Sequence, residues 1–247
     1  MLRSVFAALA TIVLTLVCGV PALVLSLVNP RGDWVLRLGR PWARGICAAA
    51  GVSVSAMGIE NIPMDRPVIL ISNHQSHFDM LALLVTLPRP FRVVAKRHLF
   101  WIPVFGWCLS LAGMIPIDRE KRSSAFQSLE RAADRIRGGE PVLFFPEGTR
   151  SRDGALLPFK KGAFVIALKA GAPIVPVSVS GSLAVLPKGS IRIRPGSITV
   201  RYGAEIPVSG ETLDTKERLI ERVRAAVAQG LAAPARPAPP REVSARR

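Results

Sequence analysis

The chain has few of the residues that build disulfide frameworks and metal sites. Of its 247 residues, only three are cysteine and three are histidine. Cys18, Cys47 and Cys108 stand singly in apolar surroundings, without a CxxC pair. Disulfide-stapled folds and zinc modules need paired or closely spaced cysteines. The sequence therefore predicts neither a disulfide framework nor a metal site, and it favours a reducing, cytosolic environment for most of the chain.

Acidic residues are also scarce. Asp and Glu number 17 against 33 Lys and Arg, which gives a formal net charge of +16. Such an excess indicates an anionic partner, either nucleic acid or a membrane surface. The chain has one tyrosine and contains no RNP, zinc-finger or helix-turn-helix pattern, so nucleic acid is the weaker candidate. A membrane is the predicted partner.

Charge is absent altogether between Ser4 and Pro30. This run exceeds the ~20 apolar residues that cross a hydrocarbon core. It is longer than the apolar region of a secretory signal, about 7 to 15 residues, and lacks a clear cleavage site. A retained membrane anchor is therefore predicted. Because Gly19 and Pro21 lie near its middle, both a crossing helix and one that lies in a single leaflet remain open.

The next segment, Trp34 to Ala50, carries three arginines on one helical stripe, at positions 37, 40 and 44. The stripe favours a basic helix on anionic lipid headgroups, with a solvated helix face as the alternative and Pro41 as a weak point of both. Positive flanks stay on the cytoplasmic side of membranes. We therefore expect a protein of the cell inner membrane, with its folded part on the cytoplasmic face.

Short apolar runs alternate with helical patterns through the rest of the chain. Strands are predicted at 52–56, 67–72, 91–96, 113–119, 141–145 and 174–180, and a hairpin is predicted around Pro195-Gly196. Helices are predicted at 123–139, 160–171 and 212–230. The order of strand, helix and strand is typical of parallel sheets.

These patterns predict an α/β fold in which a mostly parallel central sheet is flanked by helices, with an N-terminal hydrophobic helical membrane anchor. Residues 1–50 are expected to form membrane-associated helices, and residues 51–230 the α/β domain. Residues 231–247, rich in Ala, Pro and Arg, are predicted to be disordered.

Two of the three histidines stand in the segment NHQSHFD, residues 73 to 79. A metal site is disfavoured because no further His or Cys cluster completes a shell. On an ideal helix His74 and Asp79 point about 140° apart, so they meet only if His74 precedes a helix that has Asp79 in its first turn. A carboxylate so placed fixes the imidazole tautomer and makes the ring a general base. From this segment alone, the catalytic interpretation and a polar turn both stay open.

A second polar segment, FPEGTRSRDG, begins at Phe145 and leaves the same end of the predicted sheet. Ligands bind at the carboxyl ends of parallel strands. Gly148 allows close backbone approach, and Arg150 presents a planar fork suited to phosphate. Glu147 is expected to orient that fork. Two such loops at neighbouring strand ends favour a binding site over a pair of surface turns.

NHQSHFD and FPEGTRS together resemble the glycerolipid acyltransferase family, which has a His-x4-Asp motif followed by an FPEGTR motif. The likeness runs from Pro67 to Gly181 and is nearest to bacterial 1-acyl-glycerol-3-phosphate acyltransferases. VAKRHLFWIPVFGWCLSLAGMIPIDR resembles the family's second motif, and IVPVSVSG the fourth. One departure is His98, where members often carry Glu.

The resemblance implies transfer of a fatty acyl group from acyl-coenzyme A or acyl carrier protein to the free hydroxyl of 1-acyl-glycerol 3-phosphate, which gives phosphatidic acid. The donor is a co-substrate, and no cofactor or metal is implied. The partners implied are membrane lipids, a lyso-phospholipid and the acyl donor. His74 is the base, Asp79 orients it, and His77 is a turn residue. The substrate-binding residues implied are Lys96, Arg119, Glu147, Gly148, Thr149 and Arg150.

His98 and the basic charge keep other acceptors open, namely glycerol 3-phosphate or a lyso-aminolipid without phosphate. A membrane lipid-binding protein without catalysis is the alternative outside enzymes. The intact pair of His74 and Asp79 argues against it.

Overall fold

The computed structural model describes residues 1–28, 33–118 and 122–232. The strands in these ranges form one sheet in the order β1-β7-β6-β2-β5-β3-β4. They are β1 Val52–Met57, β2 Ile69–Ser72, β3 Arg92–Lys96, β4 Ile115–Ile117, β5 Val142–Phe144, β6 Ile174–Ser180 and β7 Gly196–Tyr202. The helices are α1 Leu2–Val28, α2 Asp33–Ala50, α3 Phe78–Thr86, α4 Phe105–Leu111, α5 Arg122–Arg137, α6 Gly162–Ala170, α7 Ser182–Val185 and α8 Lys216–Ala232. Two short 3-10 helices cover Ile59–Asn61 and Arg97–Trp101.

The prediction of a mostly parallel α/β sheet is confirmed. In the described part of the chain, β6 with β7 is the antiparallel pair among the strands, and the other pairings are parallel. Central β2 is fully buried, with Ile69 and Ile71 in one hydrophobic layer and Leu70 in the other. A strand covered on both faces reads as a continuous apolar run, which is why residues 67–72 indicated one.

Helices cover both faces of the sheet. Residues of α1, α2 and α3 pack in one hydrophobic cluster, and residues of α5, α6 and α8 pack in the other. The prediction of helices over 123–139, 160–171 and 212–230 is confirmed within a few residues at each end. The sheet therefore has its strand ends free for loops, as an open α/β sheet requires.

The predicted hairpin around Pro195-Gly196 is wrong. β7 pairs with β1 on one edge and β6 on the other, so it has no free edge for a preceding arm. Residues 190–195 form no strand, and Ile191 is 83% exposed. The segment is held instead by Arg194, which donates its N–H to the Val185 carbonyl at 2.9 Å. The alternation of Ile and Arg over residues 191–194 is typical of a strand, but both edges of β7, which this segment precedes, are already paired.

The N-terminal helices are an apolar α1 and a more polar α2. Helix α1 has 27 residues, and the mean hydropathy of its most apolar 18-residue stretch is 2.5. Only 6% of that stretch is buried against the rest of the protein. By length and composition, α1 therefore suits membrane association. In α2, Arg40 of the predicted arginine stripe donates to the carbonyl of Leu87, and contact of the stripe with headgroups stays a prediction. The division at residues 50 and 230 stays a prediction; α2 ends at Ala50 and α8 at Ala232. The rest of the predicted disordered tail lies outside the described residues.

Candidate active site

Three neighbouring parallel strands, β2, β5 and β3, end at one edge of the sheet. The loop that carries His74 follows β2, and the loop that carries Glu147 and Arg150 follows β5. Lys96 is the last residue of β3. The fold thus brings the residues predicted from three separate motifs to the same edge.

His74 and Asp79 meet as the sequence predicted. Helix α3 begins at Phe78, so Asp79 lies in its first turn while His74 precedes it. Nδ1 of His74 lies 2.8 Å from Oδ2 of Asp79, whose side chain is fully buried. The same oxygen accepts the backbone N–H groups of Gln75 at 2.7 Å and Ser76 at 2.8 Å. Because Nδ1 is held in this way, Nε2 is the nitrogen left to take a proton from a ligand.

The turn between β2 and α3 is fixed by polar side chains. Asn73 donates from Nδ2 to the Val179 carbonyl at 2.9 Å and accepts the Val179 N–H at 2.8 Å, which continues the pairing of β2 with β6 by one residue. Ser76 accepts the Phe78 N–H at 3.2 Å through its hydroxyl, which then donates to the carbonyl of Leu186 at 2.8 Å. Both residues are buried, so the turn is rigid on both sides of His74.

The loop after β5 braces His74 from the other side. The backbone N–H of His74 donates to Oε1 of Glu147 at 2.7 Å, and its carbonyl accepts the Ser151 N–H at 2.8 Å. The imidazole stacks on Phe145 with 4.2 Å between ring centroids. Neither Phe145 nor Ser151 was predicted from the sequence to contact His74, although both lie in or next to the FPEGTR motif.

Glu147 holds backbone groups and not Arg150, so its predicted role as the partner of that guanidinium is wrong. Its second oxygen, Oε2, accepts the N–H of Leu157 at 3.1 Å. No ion pair joins Glu147 to Arg150 in the part of the chain that the structure describes. Glu147 is 4% exposed. Burial raises its pKa to about 7; the charge of Asp79 also raises it, against the hydrogen bonds from His74 and Leu157, which lower it.

The remaining residues of the FPEGTR loop lie at its tip. Gly148 has φ of 74°, a backbone conformation that favours glycine, and the Lys160 side chain packs over it. Thr149 accepts a hydrogen bond from the Lys188 Nζ at 2.7 Å. Arg150 is half-buried. Lys160 and Lys188 add positive charge at this tip that was not predicted from the sequence. Lys188 lies 39 residues from Thr149, so no local sequence pattern indicates their contact.

His77 lies near cationic side chains from two different strand ends, those of β3 and β5. Burial lowers the pKa of His77, and the positive charges of Arg150 and Lys96 lower it further. The cations from β3 and from the FPEGTR loop therefore act on one region of the surface. Arg119 lies outside the described residues. Among the described residues, no group of three potential His, Cys, Asp or Glu ligands gathers around one point.

Comparison with known proteins identifies the same region. Residues 53–180 match the Acyltransferase family. The chain is 37% identical over 205 residues to a 1-acyl-sn-glycerol-3-phosphate acyltransferase of Chlamydomonas reinhardtii, which covers 81% of this chain and 60% of that protein. It is 37% identical over 175 residues to the human 1-acyl-sn-glycerol-3-phosphate acyltransferase alpha, which covers 70% and 62%.

The chain thus spans less than two thirds of the length of these two relatives. The crystal structure of PlsC, the 1-acyl-sn-glycerophosphate acyltransferase of Thermotoga maritima, superposes with a TM-score of 0.81 at 27% identity. The match covers 93% of this chain and 94% of that one. The family match, the relatives and the fold agree with one another. The chain belongs to the Acyltransferase family.

Proposed function

We propose that this chain transfers a fatty acyl group to the free hydroxyl of 1-acyl-glycerol 3-phosphate and so forms phosphatidic acid. The observation that carries the proposal is the 2.8 Å contact between His74 Nδ1 and Asp79 Oδ2, on a turn beside the cations Lys96 and Arg150. A base on a turn that also lies near two cations suits a hydroxyl acceptor that carries phosphate. The two relatives described above are 1-acyl-sn-glycerol-3-phosphate acyltransferases, which supports the same acceptor.

The proposed reaction is a direct transfer. Nε2 of His74 removes the proton from the acceptor hydroxyl, and the oxygen attacks the thioester carbonyl of the acyl donor. The tetrahedral intermediate collapses, its carbon–sulfur bond breaks, and the leaving thiolate takes the proton from His74. Asp79 keeps Nδ1 protonated throughout. The acceptor is itself the nucleophile, so no serine or cysteine of the chain is acylated.

The acceptor's phosphate is proposed to bind Arg150 and Lys96, since guanidinium and ammonium groups are strong donors to phosphate oxygens. Gly148 and Thr149 shape the loop that presents Arg150. The donor is proposed to be acyl-coenzyme A or an acylated carrier protein, without a further cofactor. Lys160 and Lys188 flank the loop tip and add to the positive surface that such anionic donors would meet.

The contacts that α1 makes along its length support a proposal for how it meets the membrane. Ser4 accepts the Ile193 N–H at 2.9 Å, Thr15 accepts a bond from the Trp42 indole at 3.0 Å, and Gly19 lies against α4. These contacts extend over ~22 Å of helix. A helix held to α2, to α4 and to the loop before β7 over that length would carry these partners with it if it crossed a core ~30 Å thick. We therefore propose that α1 lies in one leaflet, at the cytoplasmic face of the inner membrane.

The test is an acyl-transfer assay with the purified full chain. Labelled acyl-coenzyme A and acylated carrier protein are each offered with lysophosphatidic acid, glycerol 3-phosphate and a lyso-aminolipid. We expect product from lysophosphatidic acid. Product only from the acceptor without phosphate would overturn the proposed substrate, and product from no acceptor would overturn the proposed activity.

A further inference from the structure

A second exposed apolar surface lies next to α1, on the segment from Trp101 to Leu111, which we call the aromatic segment. Trp101 is 74% exposed, Trp107 55%, Ile102 44% and Leu111 36%. Four large apolar side chains within eleven residues are more than the scattered exposure that is normal for a soluble surface. Two of them are tryptophan, the side chain that concentrates at the boundary of membrane and water.

The aromatic segment is held rigidly, so its exposure is not that of a loose loop. The N–H of Phe105 donates to the Pro103 carbonyl at 2.7 Å, which makes a γ-turn centred on Val104. Val104 has φ of 61°, a conformation that a β-branched residue rarely adopts because of steric strain. A Cβ on Gly19 would lie 2.7 Å from Cγ1 of Val104, so α1 packs directly on the turn. This contact packs the turn against α1, and a larger residue at position 19 would have to displace the Val104 side chain.

The same contact makes the aromatic segment continuous with the apolar helix. Sγ of Cys108 in α4 lies 3.8 Å from the Gly19 carbonyl, and the Phe105 ring lies 5.8 Å from Trp42 in α2. Helix α1 exposes its own apolar side chains along its length, among them Val17 and Val20 on either side of the contact. Two exposed apolar surfaces therefore join at Gly19.

The segment also adjoins the candidate active site. Lys96 ends β3, and the 3-10 helix Arg97–Trp101 follows it without a break. Trp101 is five residues from Lys96, at most ~17 Å along the chain. Lys96 is exposed, which places a positive charge directly before the 3-10 helix that ends at Trp101. Exposed aromatic rings next to cationic side chains are the composition of a surface that binds anionic bilayers.

We propose that the aromatic segment is a second membrane-inserting element, whose exposed side chains insert among the acyl chains of an anionic bilayer. It would set the edge that carries His74, Lys96 and Arg150 at headgroup depth, so that a lyso-lipid could place its phosphate in the site while its chain stays in the membrane. The inference rests on the proposed lipid acceptor. It assigns a role in acceptor delivery to residues outside the catalytic and phosphate-binding groups.

The test compares two double variants of the full chain on vesicles of phosphatidylglycerol and phosphatidylethanolamine. Trp101→Ser/Trp107→Ser removes the inserting rings, and Trp101→Phe/Trp107→Phe retains apolar rings but removes their fluorescence. We expect the serine variant to partition about tenfold more weakly than wild type, and the phenylalanine variant to partition like wild type. Brominated lipids should quench a fraction of wild-type fluorescence that the phenylalanine variant lacks.

Leu213→Ser is the matched control, because Leu213 is 49% exposed in the loop before α8, whose buried residues belong to the opposite hydrophobic layer. The serine double variant should raise the apparent KM for acceptor embedded in vesicles about tenfold and leave turnover of a monomeric short-chain acceptor unchanged. Unquenched tryptophans or wild-type partitioning would overturn the proposal. A wild-type protein inactive on both acceptors would overturn the proposed function alone, because partitioning and quenching still decide the surface.

Discussion

The backbone N–H of His74 donates to Oε1 of Glu147 at 2.7 Å, so a carboxylate on one loop holds the main chain of the base on the neighbouring loop. Both Glu147 oxygens accept backbone N–H groups, and the side chain is almost fully buried. A residue with this environment has no free oxygen for a substrate. The geometry favours a positioning residue, whereas the sequence resemblance implied a substrate ligand.

Replacing Glu147 with Gln should therefore affect turnover more than binding. The glutamine side chain has one acceptor oxygen where Glu147 has two. Either the His74 N–H or the Leu157 N–H would therefore face the glutamine NH₂ group, which is a donor and cannot accept it. A base displaced by about 1 Å can lose about 10²-fold in rate, and we expect kcat to fall by about 10 to 100-fold. KM for lysophosphatidic acid should stay within about twofold, which steady-state kinetics measures.

Glu211→Gln is the control for this substitution. Glu211 is also a well-bonded carboxylate, paired with Arg218 and Arg222 at 2.9 Å, but it lies in the loop before α8, away from the strand ends that carry the site. The Glu211→Gln variant should be less stable than wild type but should keep the wild-type kcat. A rise in KM with unchanged kcat in Glu147→Gln would show that Glu147 binds substrate after all.

The raised pKa of Glu147 predicts how stability depends on pH. Its pKa is about 7 in the fold against an ordinary value of 4.5, so between these values the folded chain holds a proton that the unfolded chain releases. The contribution of this group to the free energy of unfolding should fall as pH rises from 5 to 7 and level off above, by at most about 3 kcal/mol. Glu147→Gln cannot titrate. The free energy of unfolding of wild type and of Glu147→Gln can be measured by denaturant unfolding from pH 5 to 8. The wild-type value should fall relative to that of the variant as pH rises to 7. A constant difference between the two proteins over this range would contradict the raised pKa.

Local patterns were enough to predict most strands and the dyad. The burial of β2 on both faces left a purely apolar run, and the spacing of His74 and Asp79 fits only a turn that leads into a helix. The hairpin failed because the alternation of Ile191 to Arg194 carries no information about which sheet edges are already paired.

Contacts between distant parts of the chain could not be predicted in this way. Glu147 reaches a backbone group 73 residues away, and nothing near it in sequence distinguishes that contact from an ion pair with Arg150. The stack of His74 on Phe145 depends on the adjacency of β2 and β5, which sequence order alone does not give. Strand order, and with it the inner structure of the site, had to come from the fold.

Asp79 and His74 are expected to act as a unit. Asp79→Asn removes the charge that orients Nδ1–H and should lower kcat by about 10² to 10⁴-fold, and His74→Ala should do the same. The double variant should lose little more kcat than His74→Ala alone, since the carboxylate affects the proton transfer through the imidazole and otherwise holds the backbone of the turn. Single-turnover kinetics of the three variants with one acyl donor measure this. Losses that multiply would contradict a shared role.

Arg150 should determine affinity for the phosphate of the acceptor. Arg150→Lys keeps the charge but replaces a planar fork of donors with a single ammonium, so paired hydrogen bonds to phosphate oxygens are lost. Hydrogen bonds to charged groups contribute about 1.5 to 3 kcal/mol, and we expect KM for lysophosphatidic acid to rise about 10 to 100-fold with little change in kcat. Arg152→Lys is the control, because Arg152 is an exposed arginine two residues away. If both substitutions raise KM alike, the effect belongs to the general basic surface of the loop and not to a phosphate site at Arg150.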